Sequence, residues 1–210
     1  MYRYNYNYLS SLRRGFFIWR YNVAGRIVLV VGGARSGKSN FAEKYVMHYG
    51  AYCGYIATAE ILDMEMAERV KLHQSRRSEK RWKNYEAPYD AAQVMSKAGE
   101  SVDAILFDCI TLYLSNLLYG KQAPQDFKEK VTYVNKKIDE LLTSAKATGR
   151  VVVFVANDVG TGIVPDNQMA REYRDIAGWV TQRIGEAAEE VYYVLAGQAV
   201  DIKKQAFKFE

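Results

Sequence analysis

The stretch Gly32-Gly33-Ala34-Arg35-Ser36-Gly37-Lys38-Ser39 constrains this chain more than any other. A glycine, four residues and then Gly-Lys-Ser form the phosphate-loop pattern. Ahead of it, Arg26-Ile27-Val28-Leu29-Val30-Val31 is a short apolar, β-branched run that reads as a buried strand. Behind it, Asn40 to Tyr49 carries Phe41, Ala42, Tyr45 and Val46 at helical spacing. The pattern therefore sits between a strand and a helix, where a chance glycine-rich turn is not expected. Gly32 and Gly37 permit backbone angles and close approach that a Cβ would block. The loop N–H groups and the helix N-terminus face an anion. Lys38 can reach β and γ phosphates, and the Ser39 hydroxyl can hold Mg²⁺.

The rest of the chain alternates between the two periods. Strands are expected at 51–57, 82–86, 104–107, 151–156 and 190–196. Helices are expected at 63–78, 90–97, 109–119, 125–147 and 171–188, with a charged, peripheral tail from Asp201. This order predicts an α/β architecture: a three-layer P-loop NTPase fold of the RecA-like type, with a mostly parallel sheet and helices on both faces. Residues 25–210 read as one domain, long enough for a full core.

Charge separates the first residues from the rest. The net charge of +5 lies in residues 1–26, where Arg3, Arg13, Arg14, Arg20 and Arg26 meet no acid, so the body is neutral. A neutral body without a basic, aromatic-interleaved face argues against a polynucleotide partner. Residues 1–24 form a basic extension with Tyr2, Tyr4, Tyr6 and Tyr8. They read as a flexible tail or as sequence upstream of the true start, ahead of a membrane-surface segment. No apolar run reaches the roughly 20 residues of a membrane span, and the segment makes a poor secretory signal. Cys53 and Cys109 lie in or beside apolar stretches, as expected of reduced thiols in a cytoplasmic protein.

Several residues could carry chemistry. Asp108 directly follows a buried strand, the position of a second Mg²⁺-directed carboxylate; the alternative is a helix N-cap, and the two roles are compatible. Thr58-Ala59-Glu60 ends the second strand, and Asn157 to Pro165 forms a polar, glycine-bearing loop after another. Both belong to the edge where open α/β sheets bind ligands. The chain has two histidines, His48 and His73. His48 has no evident role. His73 shares a helical face with Arg69 and Arg77. An imidazole so placed can attack phosphorus and carry the group as a phosphoramidate, while nearby cations favour its neutral form and stabilise phosphate charge. From physics alone, a surface helix histidine remains the simpler reading of His73.

The ordered set of motifs resembles the bifunctional adenosylcobinamide kinase / adenosylcobinamide-phosphate guanylyltransferase family of cobalamin biosynthesis. The phosphate loop is joined by Tyr55-Ile56-Ala57-Thr58-Ala59-Glu60 and by Asp63-x-Glu65-Met66-x-x-Arg69-Val70-x-x-His73-x-x-x-Arg77. Trp82 with Glu86, Asp108-Cys109-Ile110-Thr111, and Ser115-Asn116 follow in order. Asn157-Asp158-Val159-Gly160-x-Gly162-Ile163-Val164-Pro165 and Arg174-Asp175-x-Ala177-Gly178 complete the set.

The resemblance implies phosphorylation of the aminopropanol hydroxyl of adenosylcobinamide by ATP or GTP, then transfer of GMP from GTP to that phosphate. It implies a covalent guanylyl intermediate on His73, with Lys38 and the loop from Gly32 to Ser39 on the triphosphate. Thr58, Ala59, Glu60, Gln74, Ser75, Arg76, Arg77, Glu86 and Asp108 match nucleotide-contacting positions. A carboxylate can accept from guanine N1–H and the 2-amino group, and Glu86 is the candidate for that contact. Ser39 with Asp108 is the candidate Mg²⁺ pair. The resemblance further implies a corrinoid substrate and a homo-oligomer, a trimer among relatives. Two departures stand out: residues 1–24 have no counterpart, and Asp158 replaces the usual glutamate. Read without the resemblance, a P-loop kinase of another metabolite needs no His73, and a nucleotide-dependent switch would bind without turnover.

Overall fold

The structure, a computed structural model, describes residues 25–60 and 81–208. The expectations for residues 1–24 and for a helix over 63–78, with Arg69, His73 and Arg77 on one face, lie outside the described residues.

Among the described residues, seven strands form one sheet in the order β3-β2-β4-β5-β1-β6-β7. They are β1 (Arg26–Gly32), β2 (Cys53–Ala57), β3 (Trp82–Glu86), β4 (Ala104–Asp108), β5 (Val151–Asn157), β6 (Glu190–Leu195) and β7 (Gln198–Asp201). β1 to β6 run parallel, and β7 returns antiparallel along β6. The helices are α1 (Lys38–Tyr49), α2 (Ala91–Gly99), α3 (Ile110–Tyr119), α4 (Phe127–Ala147), α5 (Gln168–Ala187) and the short α6 (Ile202–Gln205). β5 separates the phosphate-loop strand β1 from β4, which ends in Asp108; this is the RecA-like arrangement the sequence predicted.

Strand alternation divides the core. Ile27, Leu29, Val31, Ile105, Phe107, Val152 and Phe154 face the side covered by α2, α3, α4 and α5. Val28, Val30, Tyr55, Leu106, Val153 and Val155 face the side covered by α1 through Ala42 and Val46. Central strands buried on both faces need apolar residues at every position, which explains the unbroken runs in β1 and β5. α4 buries Val134, Ile138, Leu141, Leu142 and Ala145, a stripe at the helical period. Its start is fixed by Asp126, whose carboxylate accepts from the N–H groups of Lys128 and Glu129 at 2.8 and 3.2 Å.

Two expectations need correction. α5 begins at Gln168, three residues before the expected Arg171, because Asn167 caps it by accepting from the Ala170 N–H at 2.7 Å. The apolar stripe begins only with Ile176, so periodicity does not reveal that first turn. The tail is also more structured than expected. Ala196 and Gly197 (φ 50° and 77°) make a two-residue hairpin turn into β7, a geometry with positive φ at both central residues. Beyond it, the Lys203 ammonium donates to the carbonyls of Gly185, Glu186 and Ala188, closing the C-terminus of α5.

Both cysteines are free and buried. Burial pushes each thiol up to about 11, against 9.0 for an unperturbed one. A group whose folded pKa is raised stabilises below its unfolded pKa and loses that contribution as pH climbs through the folded value. The thiols therefore destabilise the fold between pH 9 and 11, where only unfolded thiols ionise. We expect the native chain to resist a thiol–disulfide probe at about pH 8 and to react once unfolded in urea. Rapid reaction of either thiol in the folded protein contradicts this.

Candidate active site

The site is built on the C-terminal ends of β1, β2, β4 and β5. β1 ends at Gly32, the loop turns, and α1 starts at Lys38 with Gly37 as its N-cap. Arg35 and Gly37 are left-handed, with φ of 57° and 98°. The Ser36 N–H donates to the Gly33 carbonyl at 3.3 Å, and the Phe41 N–H to the Gly37 carbonyl at 3.0 Å. A Cβ on Gly32 would stand 2.5 Å from the Val194 carbonyl oxygen and 2.6 Å from Ser36 Oγ. One on Gly37 would lie 3.1 Å from Gly197 Cα. The hairpin turn packs directly on the loop, and its Gly197 N–H donates to the Ser36 carbonyl at 2.8 Å. Sequence reasoning missed this brace; the paired positive-φ turn at Ala196-Gly197 lacks the Asn-Gly signature that would have announced it.

Within this cradle Lys38 is only 8% exposed, and its ammonium donates to the Gly33 carbonyl at 3.0 Å. Burial lowers its pKa, while Cys109 and Asp108 pull it back up. Ser39 lies in the first turn of α1, half-buried. Ala34 and Arg35 are exposed at the tip of the loop.

Asp108 shares its register row with Ala57 on β2 and Val155 on β5. Val155 packs on the side of the sheet covered by α1, so Asp108 and Lys38 belong to the same side. Its carboxylate accepts from the Tyr55 hydroxyl at 3.2 Å. The N-cap of α3 is Cys109, not Asp108, which removes the capping alternative. Glu86 ends β3, exposed, and pairs with Ala57, putting it in the same row as Asp108. Two strand spacings separate them, about 10 Å.

Thr58 is fully buried. Its hydroxyl donates to the Cys109 carbonyl at 2.9 Å and accepts from the Cys109 N–H at 2.8 Å. The Asn116 amide donates to the Thr58 and Pro88 carbonyls at 2.8 and 3.0 Å. These bonds lock the β2 end to the turn after Asp108, so the Thr58 side chain works as a brace. Ala59 is half-buried, and the Glu60 carboxylate accepts from the Tyr89 hydroxyl at 2.8 Å. His73, Gln74, Ser75, Arg76 and Arg77 lie outside the described residues.

A further network had no signal in periodicity. The Asp158 N–H donates to the Gly32 carbonyl at 3.0 Å, tying the loop after β5 to the start of the phosphate loop. The Asp158 carboxylate accepts from the Gly160 N–H at 3.2 Å and the Tyr193 hydroxyl at 3.0 Å. Aspartate thus reaches both partners at this position. The Arg174 guanidinium donates to the Gly160 carbonyl. The Asn157 amide donates to Thr111 Oγ1 at 3.0 Å, and the Tyr173 hydroxyl to the Thr111 carbonyl at 2.9 Å.

A lysine only 8% exposed, a helix N-terminus, a nearby hydroxyl and an acid across one strand are the kinds of group that hold a polyphosphate. The cobinamide kinase / cobinamide phosphate guanyltransferase family matches residues 28–202. This chain belongs to that family.

The bifunctional adenosylcobalamin biosynthesis protein CobU of Salmonella typhimurium LT2 is 40% identical over 182 residues, covering 84% of this chain and 99% of that protein. The protein of the same name from Escherichia coli K12 is 37% identical, with the same coverage. The bifunctional adenosylcobalamin biosynthesis protein CobP of Pseudomonas aeruginosa PAO1 is 37% identical over 83% of this chain and 96% of its own length. Among solved structures, the KaiC-like protein PH0186 of Pyrococcus horikoshii OT3 aligns with a TM-score of 0.49 and 13% identity, over 81% of this chain and 71% of that one. Family membership makes this chain an enzyme, a nucleotide-using kinase and guanyltransferase of cobalamin biosynthesis.

The packing of Gly197 on Gly37 gives a direct test. Gly37→Val adds a side chain at a φ of 98° and pushes it against Gly197. Such strain costs about 1–3 kcal/mol. We expect triphosphate binding, titrated with a fluorescent GTP analogue, to weaken about ten-fold or more. Unchanged affinity in the folded variant contradicts the account of the loop.

Proposed function

We propose that the chain phosphorylates the aminopropanol hydroxyl of adenosylcobinamide and then transfers GMP from GTP to the new phosphate through His73. The observation that carries the reading is the nearly buried Lys38 ammonium at the start of α1, on the same side of the sheet as Asp108, in a chain of this family. On this reading residues 25–210 are one catalytic domain, with residues 1–24 an extension outside it.

In the first step the substrate hydroxyl attacks the γ-phosphorus of ATP or GTP, the bond to the β-phosphate oxygen breaks, and the diphosphate leaves. Lys38 and the loop N–H groups from Gly32 to Ser39 hold the β and γ oxygens and take up charge as the bond breaks. The donor set suits Mg²⁺, a hard cation that prefers one or two carboxylates together with phosphate oxygens. Ser39 and Asp108 would hold it, and it would neutralise charge on the β and γ phosphates.

In the second step a neutral His73 nitrogen attacks the α-phosphorus of GTP and pyrophosphate leaves, giving a phosphoramidate. An oxygen of adenosylcobinamide phosphate then attacks that phosphorus, the P–N bond breaks, and adenosylcobinamide-GDP is released with the histidine restored. Glu86 accepts from guanine N1–H and the 2-amino group. Ala59, Glu60 and Gln74 to Arg77 line the nucleotide, with the buried Thr58 bracing the end of β2. The enzyme works as a homo-oligomer, a trimer by family resemblance, in the cytoplasm. Among the described residues no helix is long and apolar enough to cross a membrane.

The test is incubation with Mg²⁺ and GTP labelled at the α-phosphate, followed by a denaturing gel. Wild-type protein is expected to retain an acid-labile, base-stable label that His73→Ala loses. A wild type that binds GTP but never takes the label overturns the histidine path and leaves a P-loop kinase without a covalent intermediate.

A further inference from the structure

The phosphoryl acceptor is far larger than the hydroxyl that reacts, so its bulk must rest on protein beside the γ-phosphate. The strand order shows where. β5 stands between β1, which delivers Lys38 and Ser39, and β4, which delivers Asp108. The loop leaving β5 therefore borders the gap between them, and its first N–H is bonded to Gly32. The nucleotide-matching residues Thr58 and Glu60 follow the end of β2, and Glu86 ends β3, on the far side of β4. The hairpin turn at Gly197 closes the side of the phosphate loop toward β6 and β7. Among the described residues, the loop after β5 is the flank left for an acceptor approaching the γ-phosphate.

That loop is held at both ends and apolar in the middle. Asp158 and Arg174 fix Gly160, and the Arg171 guanidinium donates to the Pro165 and Asp166 carbonyls at 2.9 and 2.6 Å. Between these braces Ile163 is 96% exposed and Val164 63% exposed. Met169, in the first turn of α5, continues the apolar surface, and the Tyr119 hydroxyl donates to its carbonyl at 3.0 Å. A cavity of about 490 Å³ opens beside Tyr119 and Met169, and Gln125, Lys130, Gln168 and Glu172 also line it. The Glu172 carboxylate accepts from the Gln168 amide at 2.8 Å and lies 3.8 Å from the Lys130 ammonium. An apolar ledge beside a cavity of amide and paired charged groups suits a broad, flat macrocycle with apolar faces and an amide-bearing rim. Backbone fixed by arginines costs little further ordering on binding.

We propose that the segment 160–165, with Ile163 and Val164 at its tip and Met169 and Tyr119 behind it, is the shelf that receives the corrin ring of the acceptor. This rests on the corrinoid reading under Proposed function. Arg171 and Arg174 are positioning residues that hold the shelf.

The experiment compares wild type with the double variant Ile163→Ser, Val164→Ser, using adenosylcobinamide as the acceptor. Losing these apolar contacts is expected to raise the KM for adenosylcobinamide about ten-fold or more. The KM for the nucleoside triphosphate, labelling by α-labelled GTP, the urea midpoint and the size in solution are expected to stay at wild-type values. Tyr52→Ser, at an exposed apolar residue (61%) just before β2 at the other end of the sheet, is the control and leaves KM unchanged. An unchanged acceptor KM in the double variant overturns the shelf while leaving the corrinoid reading intact. Unchanged KM with a smaller particle assigns the loop to contact between copies instead. A wild type inert toward adenosylcobinamide overturns the corrinoid reading and the shelf with it.

Discussion

A lysine ammonium nearly out of water, at the first turn of a helix whose cap is a left-handed glycine, is the constraint on which this structure turns. Hydrophobic burial does not select such an arrangement, because removing a charge from water is costly without compensation. Here the Gly33 carbonyl and the field of Asp108 supply part of that compensation. A bound polyphosphate would supply more, since an ammonium has three donors and Gly33 accepts one bond. The neighbourhood is shaped to keep this geometry. Gly32 leaves room for Ser36, Gly37 leaves room for Gly197, and the hairpin turn grips the Ser36 carbonyl.

The position of β5 follows as the second organising fact. By separating β1 from β4 it places Lys38 and Asp108 on the α1 side of the sheet with one strand between them. It also delivers its own loop to the same edge, tied to Gly32 through Asp158. One side of the cleft is then made of β2, β3 and β4, with carboxylates at Glu60, Glu86 and Asp108. The other is made of the loop after β5 and the start of α5, with an apolar tip. Two unlike substrates, a nucleotide and a macrocycle, can meet at such an edge without competing for one surface.

Much of this was legible because it repeats locally. The apolar runs of β1, β4 and β5 named the buried strands, and the stripe in α4 named its core face. The octapeptide announced the turn between β1 and α1, and Asp108 stood at the end of β4 as its apolar run implied. What stayed hidden has no period. Thr58 bonds to a peptide 51 residues away, Asn116 to a carbonyl 58 residues away, and Tyr193 to a carboxylate at a separation of 35. Such side-chain braces depend on which strand ends meet, and that is decided by topology. The β6–β7 hairpin was missed because β7 has only four residues and its turn is built from Ala and Gly. Asn167 was passed over because the first turn of α5 lies outside its apolar stripe.

On the proposed reading the same phosphate loop, which holds the β and γ oxygens in the first step, also holds the departing pyrophosphate in the second. The most direct test is Lys38→Met, which removes the charge and keeps an unbranched apolar side chain. Phosphorylation of adenosylcobinamide and formation of the guanylyl-enzyme are measured separately on the same preparation. A shared loop predicts that both rates fall together, by about a hundred-fold or more, since both leaving groups lose the same cation. A variant that loses phosphorylation yet forms the guanylyl-enzyme at the wild-type rate would contradict it, and would place the second nucleotide away from Lys38.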